Sequence, residues 1–329
     1  MKKYFLLALT LICTAIAATA QTYHEDDKEG LRVFLRQPSA VEGKINAEQL
    51  GLEISDTLNW QTDEEWVTKI VGLIWNDDTP KRFIEISYDE WFYKNLAGTL
   101  NASKWTKLQK LYCDNNQLTA LDISANTELQ VLGCSDNQLT VLDISANTEL
   151  QELICYNNFL VALDLSANTK LQALYCSYNQ LTALDISANT ELQALWVNCN
   201  YLTVLDLSTN TKSHILSCYD NHLLLSDLFA ASELWKNSNY LGRQTLPPQT
   251  VNVSKALEFS TSQNKFKGIY TEFAVIQNDN TASKRDYTVN KGKIKFKKSG
   301  IYTVKMTNKA IISDPEYPAE VIFEVRVTK

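Results

Sequence analysis

The sequence predicts a solenoid of 21-residue coils stacked side by side, preceded by an α+β segment and followed by a β-sandwich. Three observations carry this. The segment LQKLYCDNNQLTALDISANTE at 108–128 recurs in register at 129, 150, 171 and 192. Residues 22–95 carry helix and strand signals but no copy of the repeat. After LPPQ at 246–249 the pattern changes to an alternation of period two.

Residues 1–20 read as a secretory signal: Lys2 and Lys3, an apolar stretch from Tyr4 to Ile16, then Ala18-Thr19-Ala20 as a small-residue cleavage site. The mature chain is expected to begin at Gln21. A lipoprotein reading would use Cys13, but Ile12 stands where that motif requires a small residue. No later stretch reaches the ~18 to 20 apolar residues that a membrane helix needs. The expectation is an exported protein with no transmembrane segment, placed in the periplasm, at the cell surface or outside the cell.

Residues 21–95 suit a cap for the amino-terminal end of the stack. DDKEGLRVFLRQ at 26–37 reads as a helix stopped by Pro38, and Thr62 with Glu65 makes a capping box before Trp66, Val67 and Ile70. Two strand-like runs follow, VGLIW at 71–75 and RFIEI at 82–86, joined by NDDTPK. A stack of coils exposes its core at both ends, so some closing element is required there.

Residues 96–242 hold the array. A sixth copy from Ser213 keeps Leu216, Cys218, Asn221, Leu223 and Asp227 in register, and LNASKWTKL at 100–108 matches the second half of a copy before the first. Each copy contains LxxLxCxxNxLxxL, which resembles the leucine-rich-repeat consensus with Cys in one of its Leu positions. That resemblance implies a leucine-rich-repeat solenoid. Residues such as Leu111 and Cys113 alternate inward on a short strand, stacked copies pair these strands into a parallel sheet, and the remaining Leu and Ile fill the interior. With 21 residues per coil, LDISANTE has no room for a full helix and crosses the convex side as tight turns. Asn116, Asn137, Asn158, Asn179, Asn200 and Asn221 form a ladder that satisfies backbone groups where each strand turns away, and Asn126, Asn147, Asn168, Asn189 and Asn210 form a second. SDLFAASELWKN at 226–237 reads as a short helix closing the far end. The spacing of Trp66, GLIWN at 72–76, RFIEI and NLAGTL at 95–100 resembles the amino-terminal cap of plant-type leucine-rich-repeat proteins, without that family's capping cysteines.

Residues 243–329 alternate in TVNVSKALEFS, EFAVIQN, DYTVN, GKIKFKK, GIYTVKMTN and EVIFEVRVTK, short strands that argue for a β-sandwich. This part looks like a bacterial immunoglobulin-like domain. In order, the array and this domain are similar to internalins, exported proteins in which a capped repeat array is followed by such a domain and binds host receptors. The resemblance implies a binding protein of internalin-like architecture and carries over no particular receptor.

The chemistry-bearing residues point the same way. Cys113, Cys134, Cys155, Cys176 and Cys218 share one inward ladder position, where neighbours run about 4.8 Å apart and parallel, so they are expected as buried free thiols rather than disulfides. Cys199 sits one residue before the Asn ladder and is expected to be the most accessible thiol. His214, Cys218 and His222 have four-residue spacing, but the repeat register forbids the helix that would gather them around a metal. No phosphate-binding loop, HExxH, GxSxG or EF-hand occurs. The Asp row at 122, 143, 164, 185, 206 and 227 recurs in every coil, which fits turn capping and not a singular catalytic site. Residues 21–242 carry 14 Lys or Arg against 30 Asp or Glu, and residues 243–329 carry 15 against 8, so an acidic body precedes a basic tail. In that tail Lys291, Lys293, Lys295 and Lys297 fall on one strand face, opposite Ile294 and Phe296. No catalytic residue, cofactor, metal or nucleic-acid partner is expected.

Function is expected where the copies differ. Outward positions give three rows across the coils: Lys110, Val131, Glu152, Ala173, Ala194 and Ile215; then Tyr112, Gly133, Ile154, Tyr175, Trp196 and Ser217; then Asp114, Ser135, Tyr156, Ser177, Asn198 and Tyr219. Tyr112, Tyr156, Tyr175, Tyr178, Trp196, Asn198 and Tyr219 form the candidate ligand surface on the concave face, aromatic with Ser and Asn between. The leading reading is a non-enzymatic adhesion or recognition protein whose partner is a protein or glycan, of host origin if the internalin resemblance extends that far. Two others stand beside it: an envelope hydrolase, which would need a convergent acid pair, and a structural envelope component, favoured if the concave aromatics pack against another domain.

Overall fold

The computed structural model describes residues 23–52, 65–70, 72–86, 95–212, 214–235, 238–258 and 261–329. The expected signal segment and Thr62 of the expected capping box lie outside them. No helix among the described residues is long and apolar enough to cross a membrane.

The array folds as a solenoid because each copy repeats the same inward residues at the same register. Helix α1 (Glu25–Leu35), α2 (Asn46–Gln49) and α3 (Glu65–Lys69) precede strands β1 (Leu73–Trp75) and β2 (Phe83–Ile86); all but α2, which the sequence reading did not mark, fall where the sequence marks them. The coils then supply β3 (Ala97–Asn101), β4 (Lys110–Tyr112), β5 (Gln117–Asp122), β6 (Val131–Gly133), β7 (Glu152–Ile154), β8 (Ala173–Tyr175), β9 (Ala194–Trp196) and β10 (Ile215–Ser217). Helix α4 (Leu225–Leu234) and β11 (Ser238–Tyr240) end the array. One sheet runs β1-β2-β4-β6-β7-β8-β9-β10-β11, parallel throughout except that β1 and β2 are antiparallel. The sheet therefore begins before the first full repeat and continues past the closing helix. A second parallel pair, β3 with β5, on the flank of the first coils, is not foreshadowed by the repeat.

Inside the stack Leu111, Leu132, Leu153, Leu174, Leu195 and Leu216, and the ladder of Cys113, Cys134, Cys155, Cys176, Val197 and Cys218, are fully buried. Each ladder Asn sews two coils together. Asn137 accepts from Leu118 N at 2.9 Å and donates to Cys113 O at 3.0 Å in the previous coil, and to Cys134 O at 3.1 Å in its own. Asn158, Asn179, Asn200 and Asn221 repeat this, and Gln244 supplies a further rung, accepting from Leu223 N at 3.2 Å and donating to Cys218 O at 3.0 Å. The second ladder works likewise, with Asn147 donating to Ile123 O and Asn126 O at 3.1 and 2.8 Å. In the Asp row, Asp122, Asp143, Asp164, Asp185 and Asp206 accept from the backbone two residues on, at 2.9 to 3.1 Å. Asp227 departs from the row: it accepts from Leu224 N at 2.9 Å and caps α4.

The amino-terminal segment is tied to the first coil by buried polar groups. Asp27 accepts two bonds from Arg82, at 3.0 and 2.9 Å, and one from Phe83 N at 2.7 Å, while Trp105 Nε1 donates to Asp27 O at 3.2 Å. Asn46 bonds both the N–H and the carbonyl of Ala97 at 3.1 Å.

In the carboxyl-terminal part, residues 243–245, 249–252, 272–277, 280–281, 300–307 and 320–328 form one sheet, and residues 256–258, 287–290 and 293–296 another. The expected alternation is visible in burial: Tyr302, Val304, Met306, Val321, Val325, Ile294 and Phe296 are fully enclosed. Lys291, Lys293, Lys295 and Lys297 are exposed.

Candidate functional site

Strands β7 to β10 pair in parallel register, which sets their outward side chains side by side at the coil spacing. Tyr175 on β8 and Trp196 on β9 lie with ring centroids 6.1 Å apart, and Trp196 and Tyr240 of β11 lie 6.3 Å apart. Tyr156, Tyr175, Tyr178, Trp196, Asn198 and Tyr219 line one depression of about 270 Å³. Tyr112 stands apart, further along the sheet, near Lys110 and Glu152.

Asn198 requires a correction. It was expected as an outward ligand contact, but it is 1% exposed and forms the floor, its Oδ1 accepting from Ser177 Oγ at 2.7 Å and Ser217 Oγ at 2.9 Å. The same holds for Asp114, Ser135 and Ser177 in its row, all buried; Asp114 accepts from Ser135 N at 2.8 Å. Adjacent coils approach closely enough for short polar side chains to meet across the rungs, so these four positions form a seam while Tyr156 and Tyr219 of the same row reach the surface. Gly133 and Ser217, expected outward in the Tyr112 row, are buried too. A Cβ at Gly133 would lie 2.7 Å from the Tyr112 ring.

Tyr178 reaches the depression from a position that no strand pattern explains. Asn115, Asp136, Asn157, Tyr178, Cys199 and Asp220 all have left-handed backbone, φ between 51° and 56°. Asn and Asp tolerate this conformation; Tyr and Cys do so at a cost. Both exceptions lie beside the depression: a hydrogen bond with Cys199 raises the Tyr178 phenol, and one with Tyr219 lowers it. Burial, with the bond to Tyr178, pushes the Tyr219 phenol well above its ordinary value. Burial also raises Tyr156 and Tyr175, and Asp114.

Two aromatic residues escaped the sequence reading. Tyr240 lies outside the repeat register, and Tyr317 belongs to the loop before the last strand. Tyr317 stacks on Tyr219 at 4.9 Å and meets Tyr240 edge-on at 5.4 Å. The only signal for Tyr240 is that SNY at 238–240 can form one more rung; for Tyr317 there is none.

Other candidates do not converge. Cys218 is buried in the ladder, His214 is exposed, and His222 lies against the Tyr201 ring at 5.8 Å. Cys113, Cys134, Cys155, Cys176, Cys199 and Cys218 are free thiols, and of these only Cys199 is partly exposed.

With this geometry in view, the class of architecture is a leucine-rich-repeat solenoid of about seven turns with 21-residue spacing, as found in internalins. Among solved structures, the functional domain of InlJ from Listeria monocytogenes, described as including a cysteine ladder, is 24% identical with a TM-score of 0.56, over 69% of this chain and 50% of that one. This chain thus spans half the length of that domain. An internalin, inlF, from Listeria monocytogenes is 20% identical with a TM-score of 0.39, over 70% of this chain and 61% of that one. A family model described as LVIVD repeat matches residues 132–158, within the second and third copies. Comparison with curated proteins finds no match.

Proposed function

We propose that this is a non-enzymatic binding or adhesion protein of the bacterial envelope, exported by its first twenty residues, which holds a protein or glycan partner on the concave sheet. The observation that carries the reading is the convergence of Tyr156, Tyr175, Tyr178, Trp196 and Tyr219 on one depression, built on coils whose core and turn residues hardly vary. Aromatic anchors in a concave, partly desolvated surface are where binding energy concentrates. In this reading residues 21–95 cap the array, and residues 243–329 are an immunoglobulin-like domain. The likeness to internalins supports a binding role by analogy of fold.

A structural envelope role has one observation in its favour, since Tyr219 packs against Tyr317 of the carboxyl-terminal part. Trp196 and Tyr178 remain 37% and 53% exposed, which favours a surface that receives a partner. The test is capture from surface-protein extracts and on glycan arrays by the chain from Gln21 onward, beside its Trp196→Ala variant. A partner retained by the first and lost by the second supports the proposal; a partner retained equally by both refutes the site.

A further inference from the structure

The aromatic depression shares Tyr219 with a second cavity of about 350 Å³, walled on one side by Asp220 and on the other by Arg243, Glu316, Tyr317 and Glu320 of the carboxyl-terminal part. We infer that the ligand is a polypeptide segment, one apolar side chain seated in the aromatic depression and a neighbouring cationic side chain in this cleft, so that Asp220, Glu316 and Tyr317 belong to the binding surface. The inference rests on the concave-face reading above and narrows its partner to one chemistry.

The depression offers carbon and little hydrogen-bonding capacity. Asn198 Oδ1 already takes two hydroxyls, and its Nδ2 lies 3.7 Å from Cys199 Sγ. Tyr178 lies beside Cys199 and Tyr219, and Tyr156 beside Ser135 and Asp136, and the lining they present to the depression is carbon. A sugar ring buried here would leave several hydroxyls without partners, whereas an apolar side chain loses nothing by desolvation. The cleft has the opposite character. Arg243 Nε donates to Glu320 at 3.1 Å and Lys305 pairs with the same carboxylate. Burial would raise the Glu320 carboxyl, but these bonds outweigh it and hold it below its ordinary value. Asp220 and Glu316 are both exposed, and their carboxylates line the cleft outside that ion-pair cluster. With 30 acids against 14 bases over residues 21–242, the field of the solenoid favours a cationic partner. Two open concavities joined at one ring fit side chains two positions apart on an extended chain, which share a face and stand roughly 6.6 Å apart.

The test uses the chain from Gln21 onward and three probes: the capped peptide Gly-Ser-Gly-Trp-Gly-Arg-Gly-Ser-Gly, its counterpart with Glu for Arg, and chitotriose, titrated at low ionic strength with NMR detection. The Arg peptide should bind about threefold or more tightly than the Glu peptide, the scale of a partly exposed charge pair. The double variant Asp220→Asn, Glu316→Gln should bring the two peptides to near parity while still binding both; Asn suits the left-handed backbone at 220, and both sites are exposed. Equal affinity in the parent chain, a preference that survives the double variant, no peptide binding, or binding of chitotriose alone would each overturn the inference. Trp196→Ala should lose both peptides. If that variant binds them unchanged, the concave-face reading itself fails, separately from the assignment of the cleft.

Discussion

The ring of Tyr317 stacks on the ring of Tyr219, centroids 4.9 Å apart and planes at 29°, and so carries the aromatic row from the solenoid into the carboxyl-terminal part. The contact depends on Gly242. Its φ is +55°, a Cβ there would stand 2.3 Å from Tyr219 Cβ, and its N–H donates to Tyr317 O at 3.0 Å. Ser313 closes the joint, accepting from Leu241 N at 3.1 Å and donating to Tyr317 O at 2.6 Å.

Gly242→Ala should therefore destabilise the chain by about 1 to 3 kcal/mol, combining an unfavourable backbone conformation with a clash. Thermal unfolding with limited proteolysis across residues 238–249 reads this. A variant that melts with the parent and resists protease equally would show that the joint is looser than described.

The thiols make a second prediction. Burial pushes those of Cys176 and Cys218 up to about 12 and those of Cys113, Cys134 and Cys155 well above the ordinary range. In the native state at pH 8 a thiol reagent should label Cys199 alone, and after denaturation all six from Gln21 onward. The fold favours the protonated ladder thiols, so their contribution to stability is full below about pH 8.5, the unfolded value. It declines as pH rises from there towards about 12. Urea unfolding at pH 7, 9.5 and 11 should show that decline, and recovery of two thiols or none on denaturation would contradict the free ladder.

Tyr178 occupies a left-handed position where four other coils carry Asn or Asp, yet its ring lines the depression. Local rules are broken most often at functional sites. Tyr178→Asn should raise stability by about 0.5 to 1 kcal/mol while weakening the partner. Loss of stability on that substitution would place the role of Tyr178 in the scaffold.

The Asn ladder should be far less tolerant. Asn179 accepts from Leu160 N at 3.0 Å and donates to Cys155 O at 3.0 Å, and all these groups are buried. Asn179→Leu leaves them without partners, at about 1 to 3 kcal/mol for each buried group. Chemical denaturation should therefore show a loss comparable with that of Leu174→Ala, roughly 2 to 5 kcal/mol. A near-neutral Asn179→Leu would mean that the rungs carry little of the stability.

Repetition decides what could be read from the sequence. The solenoid, both Asn ladders, the Cys ladder and the Asp turns follow from one 21-residue pattern, since a residue copied in every coil must do the same work in each. Elements that occur once were harder. Gln244 completes the Asn ladder 23 residues after Asn221 rather than 21, β11 extends the sheet beyond the register, and Tyr317 comes from a different part of the chain. Asn198 was misread because strand alternation places it outward, while the closeness of adjacent coils lets Ser177 and Ser217 draw it into a buried seam. The left-handed backbone at 115, 136, 157, 178, 199 and 220 went unread, although Asn and Asp at four of these positions suit it and Tyr178 and Cys199 depart from that pattern.

In the proposed reading the concave aromatic depression, and not the convex side, holds the partner. The decisive comparison is the affinity of the captured partner for Trp196→Ala and for Glu191→Ala, a convex change that removes only a surface pair with Lys212. Truncating a central aromatic anchor costs about 2 kcal/mol or more, so Trp196→Ala should bind roughly thirtyfold more weakly with its melting temperature nearly unchanged. Glu191→Ala should bind as the parent does. Binding lost in Glu191→Ala and kept in Trp196→Ala would contradict the assignment.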